Sequence, residues 1–235
     1  MAHAPILLTR PEPASQRFAD AIAARLGAGP VVVSPLLEIV PVGDVPSLDG
    51  YAGVILTSEN ALLRTDPRWP RQMPAYCVGA RTAAVASAAG FTAHSAQGAL
   101  ANLVSLIYTL PPTGRLLYLR GRHVTGGLGQ ELTAHGFPTD EVVVYDQRIH
   151  TLSQAARDML AQPGPVLIPV FSSRTAIALG AELKNVPASL HIAAISPAVV
   201  DTLAVQSAAR IEVAQRPDAE AVLDCLEVLQ MALGA

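Results

Sequence analysis

Cysteine, lysine and aromatic side chains are scarce in this chain. The two cysteines, Cys77 and Cys225, are too few for a disulfide framework and fit a reducing compartment. A single lysine, Lys184, stands against fifteen arginines, and the formal net charge is only −3. Such a balance supplies no global basic field, which excludes general nucleic-acid binding. Apolar runs long enough for a membrane span, about 18 residues, are absent. The Ala-rich stretch after Ala75, for example, is interrupted by Arg81, Thr82 and Ser87. Near the start, Ile6-Leu7-Leu8 runs into Thr9-Arg10-Pro11 with no basic n-region, so no signal peptide is expected. Charged residues make up only 15% against 51% hydrophobic, which excludes intrinsic disorder. A soluble cytoplasmic protein of one large or two small domains is the expectation for 235 residues.

Familiar catalytic and metal-binding constellations are missing too. His3, His94, His123, His135, His150 and His191 are scattered, and no pair has metal-ligand spacing. The glycine-rich stretch from Gly121 to Gly129 lacks the Lys-Ser or Lys-Thr of a phosphate loop. No G-x-S-x-G elbow occurs, and no G-x-G-x-x-G follows the first apolar run. Cys77 lies inside a strand-like segment and reads as a buried, inert thiol. Neither a metal nor a cofactor is expected.

Short apolar runs alternate with helical periodicity. Strands are expected at Ile6–Leu8, Val31–Val33, Val54–Leu56, Tyr76–Val78, Leu116–Leu119, Val142–Val144, Val166–Ile168, Ile192–Ile195 and Ile211–Val213. Their continuous apolar character suits parallel strands covered on both faces. Residues 12–26 carry Phe18, Ile22 and Leu26 on one helical face, and residues 99–110 repeat the pattern. The alternation argues for α/β architecture. Two halves also resemble each other. Leu7-Leu8-Thr9-Arg10 matches Leu117-Tyr118-Leu119-Arg120. Leu56-Thr57-Ser58 matches Phe171-Ser172-Ser173, and the segment from Ala75 matches that from Ile192 in hydrophobic pattern. A duplicated unit would place two domains face to face with ligands in the cleft, outside the carboxyl ends of the strands.

Polar residues cluster just after those strands: Thr9-Arg10, Thr57-Ser58, Arg81-Thr82, Arg120-Gly121-Arg122, Ser172-Ser173-Arg174 and Ser196. Following helices begin at such positions, where free N–H groups favour anions. Each hydroxyl alone could be a plain helix cap. The arginines at the same junctions suit bidentate carboxylate recognition, so together the set suggests a site for a multiply anionic small molecule.

The ordered set Thr9-Arg10-Pro11, Thr57-Ser58-Glu59-Asn60-Ala61, Val78-Gly79-Ala80-Arg81-Thr82-Ala83, Val144-Tyr145, Ser172-Ser173 and Ile195-Ser196-Pro197 resembles the uroporphyrinogen-III synthase family over nearly the whole chain. The resemblance implies two flavodoxin-like parallel-sheet domains joined by a two-stranded β-ladder. One would comprise residues 1–34 and 148–235, the other 38–144, with ladder strands at 34–40 and 144–149. It implies a lyase of tetrapyrrole and heme biosynthesis that converts hydroxymethylbilane, which carries eight carboxylates, to uroporphyrinogen III. Water is lost, and ring D is inverted through a spiro intermediate.

By the same resemblance Tyr145 assists hydroxyl departure, and Thr9, Arg10, Thr57, Ser58, Asn60, Arg81, Thr82, Arg120, Ser172, Ser173 and Ser196 bind substrate. The implied protein is a monomer with a small-molecule substrate, no nucleic-acid or membrane partner, and room for transient handover from hydroxymethylbilane synthase. One departure is visible. Where the family commonly has Ile-Gly-Pro-Thr-Thr-Ala, this chain has Ile195-Ser196-Pro197-Ala198-Val199-Val200, which would remove a hydroxyl facing the cleft at Val199. A non-catalytic tetrapyrrole or anion-binding module on the same scaffold is therefore the alternative, and a solute-binding protein of periplasmic type a weaker third.

Overall fold

The computed structural model describes residues 3–98, 100–123, 126–203 and 208–234. In chain order its strands are β1 (Ile6–Leu8), β2 (Val31–Val33), β3 (Leu37–Pro41), β4 (Gly53–Leu56), β5 (Pro74–Cys77), β6 (Thr92–Ser95), β7 (Leu116–Gly121), β8 (Thr139–Ile149), β9 (Pro165–Val170), β10 (Ser189–Ala194) and β11 (Ala208–Val213). The helices are α1 (Glu12–Leu26), α2 (Ala80–Ala88), α3 (Leu100–Thr109), α4 (Leu128–Ala134), α5 (Gln154–Leu160), α6 (Ser173–Glu182), α7 (Pro197–Leu203) and α8 (Ala219–Gly234), with a 3₁₀ turn at Glu59–Leu62.

The chain divides into two compact units. Unit 1 is Met1–Glu38 with Arg148–Ala235, and unit 2 is Ile39–Gln147. Unit 1 holds a sheet in the order β11-β10-β9-β1-β2, parallel throughout. Residues of β1, β9 and β10 are buried on both faces, which is why they read as unbroken apolar runs. Leu160, Leu179 and Leu203 cover one face. Phe18 and Ile22 of α1 join Val222 and Leu226 of α8 on the other, so the Phe18–Ile22 stripe of the sequence is the buried face of α1. Helix α1 stops at Gly27, whose φ of 84° is comfortable only without a Cβ.

Unit 2 holds a sheet in the order β3-β8-β7-β4-β5-β6. Its two faces alternate along each strand as the pleat requires. Leu56, Cys77, Leu119 and Tyr145 pack on the side of α2 and the 3₁₀ turn. Ile55, Tyr76 and Tyr118 pack on the side of α3 and α4. Between β7 and β8 the register slips once: Arg120 pairs with Val143, but Gly121 pairs with Tyr145. This bulge re-aims the end of β8.

Two strands escape a reading of the sequence for apolar runs. β6 reads Thr-Ala-His-Ser, with one exposed and three half-buried residues. It lies at the sheet edge and needs no apolar run. β3 has one buried, two half-buried and two exposed residues and is expected only through the family resemblance.

The repeated halves of the sequence are not the compact units. Counted along the chain, unit 1 has strand order 2-1-3-4-5, the flavodoxin order. Unit 2 has the same order if counting starts at β7, with β3 added beyond β8. Matching segments occupy matching places: β1 corresponds to β7, β9 to β4 and β10 to β5. Unit 1 takes β1 and β2 from the first half and β9, β10 and β11 from the second; unit 2 does the converse.

Candidate active site

The residues expected to meet substrate lie at the carboxyl ends of parallel strands, in the turns that follow or in the first turn of the next helix, except Tyr145, which lies within β8. Unit 1 carries Thr9, Arg10, Ser172, Ser173 and Ser196. Unit 2 carries Thr57, Ser58, Asn60, Arg81, Thr82, Arg120 and Tyr145.

In unit 2 these side chains are tied to one another or to near neighbours. Ser58 caps the 3₁₀ turn, its hydroxyl accepting from the Asn60 N–H at 3.2 Å. Arg81, one residue into α2, pairs with Glu59 at 2.9 Å. Thr82 beside it is buried. Tyr145 is 6% exposed, and its ring lies against the end of β7. A Cβ on Gly121 would stand 2.6 Å from Tyr145 Cζ and 2.9 Å from its hydroxyl, so only glycine fits there. Burial raises the Tyr145 phenol above its ordinary value, while a hydrogen bond with Ser58 acts the other way. The phenol is therefore neutral across the physiological range.

On the opposite face, Thr57 Oγ1 and the Tyr118 hydroxyl are 3.0 Å apart. Arg120 pairs with Glu141 at 2.6 Å. The same Glu141 accepts from the Gly129 N–H at 3.1 Å, a seat that a Cβ on Gly129 would fill. Arg120, Glu141, Gln130, Thr133 and Thr139 line an open groove of about 870 Å³ beside Gly126, Gly127 and Gly129. Of the glycine-rich stretch singled out above, Val124 and Thr125 lie outside the described residues. Sequence reasoning missed Tyr118. Its only signal was a lone tyrosine between leucines in an apolar run, which looks like core.

Unit 1 is built differently. Thr9 has no exposed surface, and its hydroxyl has no hydrogen-bond partner among the described residues. The Arg10 guanidinium lies 3.9 Å from the Phe171 ring centroid, a cation–π contact; Phe18 meets that ring edge-on at 4.9 Å. Ser172 caps α6, accepting from the Thr175 N–H at 3.1 Å and donating to Thr175 Oγ1 at 2.9 Å. Ser173 and Ser196 are half-buried. Position 199 corrects an expectation. Val199 is 3% exposed within the apolar core beside Leu179 and Leu203, because α7 turns it inward, so a hydroxyl at that position would be buried.

Cys77 is fully buried, and burial pushes its thiol up to about 12, far from a nucleophile's range. Among the described residues no group of three or more His, Cys, Asp or Glu could hold a metal ion. No described helix is long and apolar enough to cross a membrane.

A family profile described as uroporphyrinogen-III synthase HemD matches residues 16–224. Among solved structures, the uroporphyrinogen-III synthetase of Helicobacter pylori 26695 superposes with a TM-score of 0.66 at 19% identity, covering 96% of this chain and 99% of that one. A mutant uroporphyrinogen III synthase of the extremely thermophilic bacterium Thermus thermophilus gives 0.52 at 15% identity, covering 98% and 99%. At these identities the superpositions establish the fold. No curated protein matches the chain significantly in sequence.

Proposed function

The chain belongs to the uroporphyrinogen-III synthase family and is a lyase that cyclises hydroxymethylbilane; from that premise we propose how its own residues contribute. The linear substrate also closes unaided, giving the isomer without inversion. The enzyme's task is therefore to hold one folded conformer and favour one attack geometry, a positioning effect. Departure of the hydroxyl, with the pyrrole nitrogen pair supplying electrons, leaves an azafulvene cation. The substituted carbon of ring D attacks that cation to form a spiro centre, which fragments and recloses with ring D reversed. The net change is loss of one water.

Tyr145 is the residue we assign to hydroxyl departure. The observation that carries the assignment is its buried ring, seated against Gly121 at the end of β7 with Ser58 as hydrogen-bond partner. Because burial raises its pKa, Tyr145 serves as a fixed hydrogen-bond donor to the leaving oxygen rather than as a freely ionising acid. The arginines receive substrate carboxylates. Arg10 is held on Phe171, Arg81 on Glu59 and Arg120 on Glu141, so each presents a partly oriented guanidinium. Thr57, Ser58, Asn60, Ser172, Ser173 and Ser196 supply hydroxyl, amide and backbone N–H donors. Thr9, sealed in the core, supports the end of β1 instead. No covalent nucleophile enters the scheme.

Isomer analysis of the product tests the reading. Freshly made hydroxymethylbilane should yield uroporphyrinogen III well above the spontaneous background. Only isomer I, formed at the unaided rate, would reject it.

A further inference from the structure

Tyr118 has a duty that packing alone does not explain. It is 4% exposed, in the middle of the unit 2 sheet. A buried phenol must place its proton on an acceptor or lose a hydrogen bond to water without replacement. The hydrogen bond its hydroxyl makes in the structure is to Thr57 Oγ1, at 3.0 Å. At that distance either hydroxyl could donate, and the greater acidity of a phenol favours the direction from Tyr118 to Thr57. Thr57 has then accepted inside the protein and holds its own proton unused. Its side chain is half-buried in the turn after β4, which leaves that proton available to a ligand bound there.

The equivalent place in unit 1 lacks the device. Leu8 stands where Tyr118 does, and by strand register Phe171 falls where Thr57 does, while Ser172 is the helix cap that corresponds to Ser58.

We propose that Tyr118 is a positioning residue that turns Thr57 into a dedicated hydrogen-bond donor for a substrate carboxylate oxygen. The inference rests on the reading of Thr57 as a substrate-binding residue. Burial raises the Tyr118 phenol above its ordinary value, which keeps the donor protonated at any working pH.

A double-mutant cycle measured with hydroxymethylbilane decides the matter. Thr57→Val should raise KM about tenfold or more with little change in kcat, as loss of a bond to a charged oxygen would. Tyr118→Phe, which keeps the ring packed, should raise KM about three- to tenfold. The double variant should match Thr57→Val alone, because Tyr118 acts only through Thr57. Multiplying effects, or an unchanged KM in Tyr118→Phe beside an impaired Thr57→Val, would overturn the proposal alone. An unchanged Thr57→Val would instead overturn the assignment of Thr57, and the proposal with it. Thr57→Ser covers the case in which Tyr118→Phe folds poorly. With Tyr118 present the serine hydroxyl is still oriented, so KM should stay within about twofold of the parent; a rise as large as that of Thr57→Val would overturn the proposal.

Discussion

The two units share a strand order but do not arm it in the same way. In unit 2 the strand ends carry linked polar pairs: Thr57 with Tyr118, Ser58 with Tyr145, Arg81 with Glu59 and Arg120 with Glu141. In unit 1 the same positions carry helix caps and an arginine laid on an aromatic ring. All five tyrosines and the single tryptophan, Trp69, fall in unit 2. Identical topology thus supports one unit rich in oriented hydroxyl donors and one that offers mainly backbone N–H groups and Arg10. On the proposed reading, chemistry that needs a fixed donor belongs to the first, and plain anion recognition can be served by both.

The sharpest way to break this contrast is a pair of glycine substitutions. Gly121→Ala drives a methyl into the Tyr145 ring. Turnover should fall about 100-fold or more, because a misplacement near 1 Å has that cost, while Trp69 fluorescence stays native. Gly180→Ala in unit 1 would set its methyl 2.2 Å from the Leu203 carbonyl oxygen. That is overpacking of α6 against α7, worth about 1–3 kcal/mol or more, and it should appear as a lowered unfolding midpoint. If Gly121→Ala destabilised and Gly180→Ala only slowed turnover, the division of labour would be reversed.

Next in size, Tyr145→Phe should lower kcat about 10- to 100-fold with the fold intact. Arg10→Ala and Arg81→Ala should instead raise KM more than they lower kcat, since carboxylate clamps contribute uniform binding. Steady-state kinetics on the three variants would show whether donors and clamps separate in this way.

The units should also differ in how they respond to alkali. In unit 2, burial pushes Cys77 from 9.0 up to about 12 and raises Tyr76, Tyr118 and Tyr145. The unfolded chain loses these protons first, so stability is complete below about pH 9 and is lost as pH rises toward 12. Cys77 alone accounts for a loss on the order of 4 kcal/mol. In unit 1, burial lowers His191 from 6.5. The unfolded chain gains that proton first, so stability is complete above about pH 6.5 and is lost as pH falls through the lowered value. Cys225 adds a smaller alkaline loss there. Trp69 fluorescence, which reports unit 2, should change early in alkali; no lag is expected in acid, where Asp66, Asp140 and Asp146 of unit 2 are held low by their hydrogen bonds. Coincident alkaline curves for Trp69 and the far-UV signal would mean that the units unfold as one.

The smallest effect should come from Thr9→Val. Its hydroxyl is buried without a partner among the described residues, so removal should leave stability unchanged or raise it by up to about 1 kcal/mol, with kinetics unaltered. A clear rise in KM would return Thr9 to the binding set.

Much of this arrangement was legible beforehand, for identifiable reasons. The strands β1, β9 and β10 are covered on both faces and so announce themselves as apolar runs, and the Phe18–Ile22 stripe marks the buried side of α1. The polar residues expected after strands do follow the strands of both sheets. Tyr118 and Gly121 stayed hidden. A tyrosine in an apolar run is indistinguishable from core until its hydroxyl is seen to meet Thr57, and a glycine shows its purpose only when the Tyr145 ring lies on it. Val199 misled for the converse reason: the turn of α7 decides which side is inward.

Local chemistry along the chain settled that it would form parallel α/β layers twice over, since each half repeats the same apolar runs and the same polar strand exits. Which half joins which was not a local matter. Any of these runs can pair with any other through backbone hydrogen bonds that carry no sequence label. Only the folded chain, by seating β1 and β2 beside β9 and β7 and β8 beside β4, exchanged strands between the halves. That exchange gave unit 2 every tyrosine and brought Tyr118 to Thr57 across 61 residues of sequence.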